Sequence, residues 1–328
     1  MQKSILTTLF LGLLATQTSF AQEPLMIAKQ GSFAVGGTVK TSEGSYTPIP
    51  AEISDKTSAS FWDAYGASVK AGGMSLHGDH ASVFYQVPAN AKSTPLVFLH
   101  GYGGSIRTWQ TTPDEQFWYA QFRIGVYPNF NQGVQFPQDK ASYEQFFRSM
   151  TPATGAFNVG VITDSMAKLF EKTGDGVFVT HSAGGVIGWT TAMASDKVKG
   201  IVAIEPGNFP FPESEVPQAL TSKFGDVSPI RVPFEQFKKL TQIPIVIYFG
   251  DFIPDELDGT QGGEQWFIRK KLAEQWVEVV NKHGGKAEVI HLPKIGIKGN
   301  THFPFSDLNN TEVADEMARW LKANGLDK

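Results

Sequence analysis

The chain contains no cysteine, which excludes thiol nucleophiles, thiolate metal centres and disulfide cross-links. Its stability must come from a buried core, and 328 residues are enough to build one. Charge is also scarce. Asp, Glu, Lys and Arg make up 18% of the sequence, against about a quarter in an average domain. No basic excess exists, since 28 Lys and Arg stand against 32 Asp and Glu. Nothing is therefore available to neutralise a run of phosphates, and nucleic acid is not an expected partner. Internal repeats, charge blocks and low-complexity tracts are missing. Beyond the amino-terminal stretch no segment is apolar enough to span a bilayer, so no stable membrane insertion is expected. His77 and His80 bracket Gly78-Asp79 without further ligands. A turn is expected there, and neither a metal nor a cofactor is called for.

What is present begins with a leader. Lys3 supplies a positive start, Ile5 to Ala15 a short apolar stretch, and Ser19-Phe20-Ala21 a small-x-small cleavage site. Residues 1–21 read as a secretory signal peptide, with Gln22 starting a mature protein destined for the periplasm or the exterior. Residues 22–328 read as one domain.

Within that domain, strand patterns alternate with helix patterns. Residues 32–39 and 81–87 have the β-branched and aromatic content of sheet. Pro95 to His100, Gly176 to Val179, Ile201 to Ile204, Ile243 to Phe249 and Ala287 to Ile290 are short, mostly apolar runs, suited to strands buried on both faces. Between and after them, residues 164–172, 185–194, 264–282 and 311–323 carry apolar residues at helical spacing. This alternation predicts an α/β fold with a mostly parallel sheet covered by helices on both faces. Residues 126–157 and 206–242 resist the scheme. They read as lids or pocket walls, or equally as surface loops packed by their own aromatics.

Ser182 lies in Val179-Thr180-His181-Ser182-Ala183-Gly184-Gly185, directly after a buried run. A strand breaking through small residues into a helix presents its hydroxyl at the carboxyl edge of the sheet, the nucleophile-elbow arrangement. The usual pattern has glycine where Thr180 stands. A serine hydroxyl needs a base. His302, in the loop between the last strand and the last helix, stands in the required order after the nucleophile; His100 and His181 sit beside turns, where structural roles are expected. Two carboxylates follow apolar strands and satisfy the order for the third member: Glu205 and Asp251. Spacing leaves them even. The oxyanion of a tetrahedral intermediate needs backbone donors. The expected ones are the amide of Ala183 and, from the turn Gly101-Tyr102-Gly103-Gly104, the amide of Tyr102.

His100-Gly101-Tyr102-Gly103-Gly104, Thr108 to Asp114, Thr180-His181-Ser182, Ile201 to Gly207 and Gly299-Asn300-Thr301-His302 together resemble a bacterial group of secreted α/β-hydrolase esterases. The likeness runs from about Gly31 to the last helix. It implies an α/β-hydrolase fold and a glutamate acid after the strand that follows the nucleophile's strand. That favours Glu205 and leaves Asp251 as a neighbouring or pocket residue. The resemblance also implies a further strand between the oxyanion turn and the elbow, lying between the early antiparallel strands and the strand ending at His100. No comparable run occurs in residues 101–156; Phe122 to Tyr127 comes nearest. One strand is therefore expected to be missing, with the catalytic half intact and the amino-terminal edge of the sheet re-paired or gapped. The implied activity is hydrolysis of a small carboxylic ester through an acyl-enzyme on Ser182, without cofactor. An amidase or lactonase would use the same groups, and a catalytically inactive hydrolase-fold binding protein is the alternative.

Overall fold

The computed structural model describes residues 25–70, 72–109, 123–148, 151 and 156–328. The leader and the Gln110 to Asp114 part of the motif set lie outside them. In chain order the elements are β1 (Ile27–Thr41), α1 (Ala59–Lys70), β2 (Ser75–Pro88), β3 (Leu96–Leu99), β4 (Gly125–Val126), β5 (Asn129–Phe130), α2 (Lys140–Arg148), α3 (Val159–Thr173), β6 (Gly176–His181), α4 (Gly184–Ala194), β7 (Val198–Ile204), β8 (Pro210–Pro212), β9 (Ile230–Val232), α5 (Phe234–Leu240), β10 (Pro244–Phe249), α6 (Gln261–Lys282), β11 (Lys286–His291) and α7 (Asn310–Ala323).

Five strands form the central sheet in the order β11-β10-β7-β6-β3, and every neighbouring pair is parallel. Alternate side chains of a strand point to opposite faces. Phe178, Ile201, Ala203, Ile245, Ile247 and Phe249 share one core with Met166 and Phe170 of α3, Ile187 and Trp189 of α4, and Leu272 and Trp276 of α6. Val177, Val179, Val202, Ile204, Val246 and Tyr248 face the other way, onto Val313, Trp320 and Leu321 of α7. Each fully buried aliphatic contributes about 1.5–3 kcal/mol, so these interior strands dominate the apolar driving force. The helices begin and end where local chemistry dictates. Asn158 caps α3 by accepting from the Val161 amide at 3.1 Å, and Gly174 at φ 87° ends it.

The amino-terminal edge is built differently. Among the described residues β3 pairs with β6 alone, and β1 and β2 form a separate antiparallel sheet. Among the described residues no strand occupies the slot expected for a further one, and a cleft of about 2070 Å³ runs along β3 there. Leu96 and Phe98 on β3 remain 36% and 43% exposed. The β1–β2 pair is held by packing on α3 instead of by sheet hydrogen bonds: Phe33, Val35, Ala81 and Val83 lean on the core, and Ser165 donates to the Asp79 carbonyl at 3.1 Å. The turn expected at residues 77–80 lies inside β2, where Asp79 takes a positive φ of 59° without interrupting the strand.

The two irregular stretches have structure of their own. Residues 206–242 hold β8, β9 and α5 and bury Phe209, Phe211 and Phe237 completely. Residues 126–157 include β5 and α2, and there Phe136 and Phe146 pack together and Phe146 meets Phe303.

Candidate active site

Three interior strands end at one rim, and backbone hydrogen bonds stitch their ends together. The Ser182 amide donates to the Ile204 carbonyl at 2.9 Å, the Glu205 amide to Tyr248 at 2.9 Å, and the Asp251 amide to Asn300 at 2.8 Å. The loops after β6, β7, β10 and β11 are thereby fixed relative to one another. Ser182 and Glu205 both adopt positive φ, 52° and 45°, a conformation costly for side chains other than glycine and one that clusters at functional sites.

Thr180, at the position where glycine is usual, is fully buried. Its methyl group lies where α4 offers Gly188: a Cβ there would stand 3.0 Å from Thr180 Cγ2. The space missing at one position is supplied at the other. Gly101 permits the closest approach of the oxyanion turn, since a Cβ on it would lie 2.8 Å from that of Ser182.

His302 donates from Nδ1 to Glu205 Oε2 at 2.5 Å, which leaves Nε2 as its unprotonated nitrogen. Its ring is walled by Trp266 at 4.4 Å, His181 at 4.5 Å and Phe303 at 5.0 Å between centroids. His181 donates from Nε2 to the His302 carbonyl at 2.9 Å. The loop is braced from below by Asp307, which accepts from the Thr301 amide at 2.7 Å, the Thr301 hydroxyl at 3.0 Å and the Asn300 amide group at 3.2 Å.

The two carboxylates that spacing left even are separated by their partners. Glu205 is the one bonded to His302. Asp251 instead accepts from the Gly299 amide at 2.8 Å and from the Phe252 amide at 2.7 Å, so it holds the loop that carries the histidine. Glu205 has no solvent contact, and its other oxygen accepts from the Gly250 amide at 2.7 Å. Arg123, also wholly buried, binds Glu205 Oε2 through Nη1 and the Asp251 carbonyl through Nε at 3.0 Å.

Electrostatics follow from this packing. Burial pushes the Glu205 pKa up, but the Arg123 charge and the His302 hydrogen bond outweigh it and bring the value down to about 2. Burial lowers the His302 pKa, and the Glu205 hydrogen bond only partly offsets it. His181 is held well below its ordinary value by burial and by His302. At neutral pH the rim thus carries an ionised carboxylate and neutral imidazoles. Burial raises Asp307 to about 7 against the pull of its Thr301 and Asn300 hydrogen bonds.

Ser182 and His302 line one cavity of about 290 Å³ together with Tyr102, Ala183, Trp266 and Phe303. All the residues singled out from sequence as nucleophile, base and oxyanion donors therefore face one space. Arg123, Trp266, Arg269 and Asp307 were not singled out as site residues. Trp266 and Arg269 lie three residues apart on α6, where Trp266 reads as one of the apolar residues at helical spacing. Arg123 carries one usable signal, a lone charge inside the mostly apolar stretch Phe122 to Tyr127. Among the described residues no group of three or more His, Cys, Asp or Glu is placed to hold a metal ion, and no helix is long and apolar enough to cross a membrane.

Residues 96–279 match the family model described as the alpha/beta hydrolase family. A solved bacterial esterase is 25% identical, with 93% of this chain and 98% of that one covered and a TM-score of 0.67. A probable secreted lipase, phiG, from a fungal species is 23% identical over 311 residues, covering 72% of this chain and 84% of the lipase.

Proposed function

The chain belongs to the alpha/beta hydrolase family, and on that premise we propose that it is an exported serine hydrolase of carboxylic esters. The observation that carries this reading is the 2.5 Å bond from His302 Nδ1 to Glu205 Oε2, beside a cavity that Ser182 and His302 share. In the proposed reaction Nε2 of His302 takes the Ser182 hydroxyl proton as the oxygen attacks the ester carbonyl. Glu205 keeps the imidazole oriented and stabilises its charged form. The amides of Tyr102 and Ala183 hold the developing oxyanion. His302 returns the proton to the leaving alcohol, and a water activated by the same nitrogen then releases the acid from the acyl-enzyme. Similarity to a bacterial esterase and to a lipase supports an ester as substrate. Similarity to a secreted lipase, with the leader-like residues 1–21, supports export to the periplasm or the exterior. A cavity of about 290 Å³ walled by Trp266 and Phe303 suits a small ester with an apolar or aromatic group; a lactone or amide would engage the same groups.

That β3 pairs with β6 alone among the described residues favours one rival, a hydrolase scaffold that binds without turnover. Labelling the folded protein with a fluorophosphonate separates the two. The expected result is one adduct at Ser182, absent from Ser182→Ala, with hydrolysis of a panel of aryl esters of graded acyl length. A folded native protein that neither labels nor hydrolyses any ester points to the rival.

A further inference from the structure

The acid assigned above is a glutamate, one rotatable bond longer than an aspartate, and a longer side chain has more freedom to lose before it can aim a single oxygen. Both of its oxygens are held. Oε1 accepts from the Gly250 amide at 2.7 Å, and Oε2 meets Arg123 Nη1 as well as His302 Nδ1. Arg123 is itself fixed: its side chain is fully buried, and its Nε donates to the Asp251 carbonyl at 3.0 Å. Room for it exists because residue 250 has no side chain, since a Cβ there would lie 2.7 Å from Arg123 Nη2. Nη2 is buried and has no hydrogen-bond acceptor among the described residues. A buried guanidinium with an orphan donor is expensive, and its position on the acid's reacting oxygen gives that expense a use.

We propose that Arg123 is a positioning residue for the reaction, clamping the Glu205 carboxylate so that Oε2 stays aimed at His302 Nδ1. This rests on the triad reading above. The clamp has a second consequence that a purely structural arginine would lack. Its charge keeps Glu205 ionised and also opposes the protonation of His302. The other groups facing His302 are Glu205 after β7, His181 at the end of β6 and Arg269 on α6, with Trp266 and Phe303 as uncharged walls. Asp307 and Asp251 brace the loop itself.

The test is the pH profile of kcat/KM for an aryl ester in native protein, Arg123→Met and Arg123→Lys. Removing the charge in Arg123→Met is expected to lower kcat at least tenfold and to move the acid limb of the profile to higher pH. Arg123→Lys keeps a charge and loses the fork, so kcat is expected to fall while the acid limb stays near its native position. An Arg123→Met protein that folds and keeps both the native kcat and the native limb overturns the proposal. If Arg123→Met does not fold, native kcat in Arg123→Lys overturns it instead. Failure of the triad reading looks different: the native protein itself would not label at Ser182, or Ser182→Ala would retain turnover.

Discussion

The interior of the sheet and its amino-terminal edge solve the same backbone problem in opposite ways. From β6 to β11 each strand is paired with the next, and the pairing continues past the strand ends through Ser182, Glu205 and Asp251. At β3 the ladder stops, and the β1–β2 pair is held by side chains on α3 with a cleft between. The rim that carries Ser182 and Glu205 is held through β6, β7 and β10, while the oxyanion turn at Gly101 and Tyr102 follows the edge strand β3. Among the described residues the sheet ends at β3, while Ser182, Glu205 and His302 follow β6, β7 and β11, which lie one, two and four strands further in.

The largest effects are expected at the rim. Ser182→Ala is expected to cut ester turnover by about 10⁶-fold while leaving the thermal transition close to native, measured by kcat and circular dichroism. A rim that unfolds on this change is not the independent frame described here. Glu205→Gln comes next. It leaves the buried Arg123 charge unpaired, and the expected loss of stability is about 3–5 kcal/mol in urea unfolding. The combined change Glu205→Gln with Arg123→Met is expected to recover part of that loss; if it is additive, the two side chains are not coupled.

Acidity acts on the same buried groups. The folded pKa of Glu205 is depressed to about 2 from an ordinary 4.5, so its contribution is present above the ordinary value and is lost as pH falls toward 2. Asp307 runs the other way. Its folded pKa is raised to about 7, so its contribution is complete below the ordinary carboxylate range and is lost as pH rises through 7. Unfolding free energy against pH should therefore dip at both ends, and Asp307→Asn should flatten the neutral side. A neutral side unchanged in Asp307→Asn would place that titration elsewhere.

Packing supplies the smallest effects and the most direct contrast. Ile247 in the interior is fully buried, and Ile247→Val should cost about 0.5–1.5 kcal/mol. Phe98 on the open edge is 43% exposed, and Phe98→Lys should stay within about 0.5 kcal/mol while reducing any self-association through the unpaired strand, read by sedimentation. Equal costs at the two positions would mean that the edge is covered.

Much of this was legible in advance because strands buried on both faces leave continuous apolar runs. The strands ending at His181, Ile204 and Phe249 leave such runs, and the helices carrying Trp266 and Trp320 show apolar residues at helical spacing instead. The choice between Glu205 and Asp251 is not legible from spacing, because both follow apolar strands; the family resemblance favours Glu205, and the hydrogen bonds of the turns pair it with His302. Arg123 was missed because a single cation in a short apolar stretch carries no periodicity. Helix α1 and the full length of β1 and β2 were missed for a related reason: they are largely exposed, and their apolar residues, such as Trp62 and Leu76, mark no buried face.

Glu205, and not Asp251, is the carboxylate hydrogen-bonded to His302. The most direct measurement is the rate of fluorophosphonate labelling at Ser182 in Glu205→Gln and in Asp251→Asn, each corrected for the fraction folded. Labelling should fall by orders of magnitude in Glu205→Gln and far less in Asp251→Asn. If Asp251→Asn is the slower of the two, or Glu205→Gln labels at the native rate, the assignment is wrong.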